Sequence, residues 1–71
     1  MFDFRMSLGE NFASFRDDKT GQYVFVDSFD NREFNVRFGT ASKSEFLGAV
    51  VADSSEDLNR RLKTLVDTAL K

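Results

Sequence analysis

The side chains that could do chemistry here are carboxylates, hydroxyls, lysines and one tyrosine, because the chain contains neither histidine nor cysteine. Without imidazole or thiol there is no histidine-activated nucleophile, no thiolate metal site and no side chain that titrates near neutral pH unperturbed. Acid–base work would fall to paired carboxylates, and two pairs stand close in sequence, Asp17 with Asp18 and Asp27 with Asp30. Such a pair is useful only where burial in a cleft separates the two pKa values. Both pairs sit among turn-forming residues, so the expectation is solvated hairpin chemistry, with no catalytic residue, no cofactor and no metal.

Three segments invite comparison with known motifs. Asp18-Lys19-Thr20-Gly21 is similar to the phosphorylation motif of the P-type ATPases, a family that needs further motifs in a far longer chain. Gly39-Thr40-Ala41-Ser42-Lys43-Ser44 resembles a phosphate-binding loop in following a strand and ending in Lys-Ser, but the glycine before the lysine is missing. The same stretch is similar to the basic entry to the last helix of double-stranded-RNA-binding domains, with Glu45 interrupting the basic run. Asp27 to Glu33 is acidic but has neither the alternating oxygen ligands nor the glycine of an EF-hand loop. The first two read as turn and loop, and the last lies across a hairpin.

A two-residue alternation runs to about Asp53, and a helical period follows it. Phe2, Phe4 and Met6 alternate with Asp3 and Arg5 and predict a short strand. Asn11 to Arg16 predicts another, followed by a loop at 17–21 in which Gly21 takes a positive φ. Gln22 to Phe29 and Arg32 to Phe38 are rich in aromatic and β-branched residues around Asp30-Asn31, which tolerates the left-handed backbone of a two-residue turn. That register sets Phe29 against Arg32, Asp27 against Phe34, Phe25 against Val36 and Tyr23 against Phe38. One face then gathers Tyr23, Phe25, Phe34, Val36 and Phe38 as core, and the other shows Val24, Val26, Ser28, Glu33, Asn35 and Arg37.

Glu45 to Ala52 is an apolar run for which strand is the expectation over short helix. Asp53 or Ser54 then caps a helix whose stripe is Leu58, Leu62, Leu65, Val66, Ala69 and Leu70. Glu56 with Arg60, Asp57 with Arg61 and Asp67 with Lys71 are acid-to-base pairs four apart. The expected fold is one α+β domain over 1–71. It comprises an antiparallel meander of four or five strands within 2–52 and one C-terminal amphipathic helix, 54–70, packed on one face.

Nine phenylalanines exceed what a small core beneath a single helix requires. Phe4, Phe12 or Phe15, Phe25, Phe34, Phe38 and Phe46 are expected against the leucine stripe, which leaves Phe2 and Phe29. Phe29 next to Arg32 could anchor a protein contact or stack on a base. The expected partner-binding residues are therefore Val24, Val26, Phe29, Arg32 and Arg37. Ten basic residues against twelve acidic ones leave a net charge of −2, and Arg16, Lys19, Arg32, Arg37 and Lys43 interleave with acids, so no continuous phosphate groove is visible. A protein partner is the first expectation and single-stranded nucleic acid the alternative.

The order of sheet then helix is similar to that of Whirly-like DNA-binding domains, which implies that alternative. The small size, the one-sided helix and the lack of cysteine, histidine and proline resemble in style the accessory proteins of bacteriophages and mobile elements. That implies a non-catalytic inhibitor or regulator. Edge strands that no proline protects, with valines expected on the outer face, predict a homodimer paired edge to edge or face to face. The absence of cysteine points to a reducing cytoplasm. No apolar run reaches the 7 or so residues of a signal-peptide core or the ~20 of a membrane span, so no membrane is expected.

Overall fold

A computed structural model describes residues 2–40 and 42–69. Four strands, β1 (Phe12–Arg16), β2 (Tyr23–Ser28), β3 (Glu33–Gly39) and β4 (Ser44–Val51), precede one helix, α1 (Ser55–Ala69). The strands pair antiparallel in chain order, β1-β2-β3-β4. This is the α+β meander with a C-terminal helix that the alternation and the capping pattern predict.

Each hairpin is set by local chemistry. Between β1 and β2 the Asp17 amide donates to the Gln22 carbonyl at 2.9 Å, and Gly21 adopts a φ of 73°. Asp18-Lys19-Thr20-Gly21 is thus turn material, with Asp18 paired to Arg16 at 3.0 Å. Between β3 and β4, Thr40 and Lys43 exchange backbone hydrogen bonds at 2.8 and 3.2 Å. Gly39 makes that reversal possible, since a Cβ there would lie 2.2 Å from the Lys43 carbonyl oxygen. The loop ends in a strand, so the Lys43-Ser44 pair lacks the helix N-terminus that a phosphate-binding loop uses.

The β2–β3 connection departs from expectation. It spans 29–32 and not two residues, and the observed partners are Ser28 with Phe34, Asp27 with Asn35 and Val26 with Val36. The register is one residue away from the expected one, and a slip of one inverts every side chain of a strand. Val24 and Val26 are therefore fully buried, while Tyr23 and Phe25 take the opposite face with Asp27. The loop explains the shift. Asp30 Oδ1 accepts the Arg32 and Glu33 amides at 2.9 and 3.0 Å, Ser28 Oγ accepts the Asn31 amide at 2.8 Å, and Asn31 sits left-handed at a φ of 59°. The Asn31 side-chain amide also donates to the Leu8 and Glu10 carbonyls, both at 3.1 Å, so the loop is tied to the N-terminal segment.

Residues 2–6 supply a second correction, because they alternate as a strand would but form none. Their backbone finds its partner on the helix: the Met6 amide donates to Asn59 Oδ1 at 2.8 Å, and Asn59 Nδ2 donates to the Met6 carbonyl at 2.9 Å. The Leu8 amide donates to Ser55 Oγ at 2.8 Å. Phe2 and Phe4 stack at 6.0 Å and meet Phe38 and Phe15 edge-on at 6.1 and 5.0 Å. The segment is a strap over the open side of the core.

Ser54 is the N-cap, its Oγ accepting the Asp57 amide at 3.1 Å and its carbonyl the Leu58 amide at 2.9 Å. Leu58, Leu62 and Val66 are buried against Val24, Val26, Phe34 and Val36, with Met6 and Ala52 closing the core. Each such side chain contributes roughly 1.5–3 kcal/mol on burial. Of the expected stripe Leu65 is partly buried, Ala69 is exposed and Leu70 lies outside the described residues. Asp57 pairs with Arg61 at 2.8 Å as the spacing predicts, and it also takes Arg60. Asp67 pairs with Lys63 at 3.4 Å, and Lys71 lies outside the described residues. No described helix is long and apolar enough to cross a membrane.

Candidate functional site

The helix and the strap cover one face of the sheet, and no described element lies over the other. The register brings four rows of side chains to that outer face. Arg16, Tyr23, Gly39 and Ser44 form one row; Ser14, Phe25, Arg37 and Phe46 form the next; Phe12, Asp27, Asn35 and Ala49 the third; Glu33 and Val51 the last. Phe46 is 63% exposed, Phe12 55% and Val51 53%. Tyr23 and Phe25 stack with ring centroids 5.5 Å apart and are half-buried by their neighbours. The face thus presents two apolar groups to water, Phe12, Tyr23 and Phe25 on one side and Phe46, Ala49 and Val51 on the other, with Glu33, Asn35 and Arg37 of β3 between them.

Two irregularities aim these groups. The register slip puts Phe25 outside and Val24 and Val26 inside. A β-bulge shifts the β3–β4 pairing between Val36 and Arg37, so that Val36 faces Gly48 while Arg37 faces Phe46. Leu47, the extra residue, packs toward the core, and Phe46 is left outside.

Both described cations on this face are already matched. Arg37 Nη2 lies 3.4 Å from Asp27 Oδ2, and Arg16 is held by Asp18. Asp27 Oδ1 is shielded from solvent and has no hydrogen-bond partner. Away from the face, the Glu33 amide first and the Arg32 amide second hold the Asp30 carboxyl below its ordinary pKa. The Arg61 hydrogen bond first, then Arg60, does the same for Asp57, and Arg61 is correspondingly raised. Asp17 is lowered chiefly by the Lys19 amide. All of these are turn or helix-surface interactions in which the carboxylate is held ionised, the reverse of what a general acid near neutral pH requires. No described group of three or more carboxylates is placed to hold a metal ion. A groove of about 510 Å³ runs between β4 and α1, lined by Val50, Val51, Arg60, Arg61 and Leu65, with both arginines turned to Asp57.

The sequence-predicted binding residues divide three ways. Val24 and Val26 have no exposed surface and are unavailable to any partner. Phe29, fully exposed at 102%, and Arg32 stand together at the β2–β3 tip. Arg37 lies in the middle of the outer face. Phe12, Tyr23, Phe25, Phe46 and Val51 escape the sequence reading as an outer-face group. One signal in the sequence points to them: Asp27 alternates in step with Tyr23 and Phe25, and an unpaired carboxylate belongs on the solvent side.

No protein-family model matches the chain, and no curated protein or solved structure matches it. The functional reading rests on the face itself.

Proposed function

We propose that this chain is a non-catalytic binding protein that works stoichiometrically by docking a protein on the outer face of its sheet. The observation that carries this reading is the exposure of Phe12, Phe46 and Val51 on a sheet face that nothing described covers. Aromatic anchors ringed by polar groups are what protein interfaces bury at their centres. Phe29 at the hairpin tip extends the apolar surface past the last row. An inhibitor or regulator of a larger assembly is the role that this mode of action suits.

A second reading has an observation of its own. The Tyr23–Phe25 stack with Arg37 beside it, on an open antiparallel sheet, is a surface on which bases of single-stranded nucleic acid could stack. Against it, both described cations on the face are paired with carboxylates, so phosphates would have to displace those partners. Fluorescence anisotropy with a labelled single-stranded oligonucleotide at low and moderate salt separates the readings. We expect no complex at either salt, together with one-to-one capture of a protein by the wild type that is lost in a Phe12→Ser/Phe46→Ser variant of unchanged circular dichroism. Salt-dependent oligonucleotide binding at micromolar affinity would overturn the protein reading.

A further inference from the structure

The outer face is complementary to itself, and this inference deepens the docking reading by naming an occupant. We infer that a second copy of this chain packs on it about a two-fold axis lying between β2 and β3 and parallel to the strands. Such an axis lays β1 over β4 of the other copy and β2 over β3, row upon row. In the first three rows each aromatic group then meets a small or complementary one. Phe12 falls on Ala49, Phe46 on Ser14, Tyr23 on Gly39 and Phe25 on Arg37 of the second copy. Rings fill the places where the opposite strand carries little or no side chain, which is how facing sheets interdigitate.

The charges agree with the shapes. Arg37 of the second copy lands over Phe25, a cation–π arrangement, and stands one row from Asp27. The Asp27–Arg37 pair of each copy, long at 3.4 Å, would join its counterpart in a ring of alternating sign. Asn35 of the second copy lies over Asp27. Two-fold symmetry makes each of these contacts twice. Four strands at about 4.8 Å and runs of five to eight residues make a face of about 20 Å by 20 Å, which is small for a specific interface. The pairing should therefore depend on concentration in the micromolar range.

The test is a charge exchange followed by sedimentation. Wild type should pass from monomer to dimer as its concentration rises through the micromolar range. Asp27→Arg alone and Arg37→Asp alone, each of which puts like charges across the axis, should stay monomeric. Mixed one to one they should form a heterodimer at least as tight as the wild-type pair, because an all-basic centre then meets an all-acidic one. Ala49→Phe, which fills the space Phe12 needs, should also abolish the dimer. Circular dichroism checks that each variant is folded, and Ala49→Phe carries the test if a charge variant is not. A wild type that is monomeric up to millimolar concentration overturns self-pairing, leaving the docking reading to the capture experiment above. A dimer indifferent to Asp27→Arg and Ala49→Phe also overturns it, by placing the contact elsewhere.

Discussion

Phenylalanine and valine occur on both faces of one sheet and have opposite fates there. On the inner face Val24, Val26, Phe34 and Val36 have no exposed surface, beneath Leu58, Leu62 and Val66. On the outer face Phe12 and Phe46 each keep more than half of their surface in water, next to Arg37 and Asp27. Hydrophobicity therefore does not say which phenylalanine is core. What separates them is whether something lies over them, and among the described residues one helix and one strap do so. A small sheet covered on one side leaves the other open to water.

The sharpest way to break the comparison is to truncate the same residue type on each face. Phe34→Ala should cost about 3–5 kcal/mol, which is most of the stability of a domain this size, and denaturant unfolding should show it largely unfolded at 25 °C. Asn59→Ala comes next, at roughly 1–3 kcal/mol, because it strands the Met6 amide and carbonyl together. Hydrogen exchange at Met6 should then rise to the level of an exposed amide, while a core amide such as that of Val26 keeps most of its protection. Ser54→Ala removes the cap at about 1 kcal/mol, read as a shift of the urea midpoint. Phe46→Ser should lie within about 0.5 kcal/mol of wild type. A large loss there would make Phe46 a core residue and erase the distinction between the faces.

Acid gives the smallest effect. Asp30 and Asp57 have lowered pKa values in the folded chain, so their contribution is complete above the ordinary carboxylate range. It is lost as the pH falls through that range and below it. Asp30→Asn should flatten the acid limb of a thermal-melt series slightly. It should leave the neutral-pH melt close to wild type, since Asp30 is exposed.

Local chemistry was enough for much of this fold. Ser54 with Asp57 announces a helix start, and the leucine spacing predicts which side is buried. Gly21 and Asn31 occupy the left-handed positions their types favour. In β3, Glu33, Asn35 and Arg37 alternate with Phe34, Val36 and Phe38, so its two faces follow from sequence alone. Those features depend on neighbours within a few residues, and the sequence contains such neighbours.

Three things had to wait for the tertiary structure, and each depends on a contact distant in sequence. The face of β2 was decided by a four-residue loop whose Asn31 side chain bonds Leu8 and Glu10, more than twenty positions away. The fate of Phe2 to Met6 was decided by Asn59, fifty-three positions from Met6, which offers the backbone what a neighbouring strand would have offered. The exposure of Phe46 was decided by a bulge that shows only in the pairing of β3 with β4. Alternation specifies that a strand has two faces, but it is the docking of other elements that chooses which face is inside. In this chain, that choice is what makes Phe12, Phe25 and Phe46 a surface.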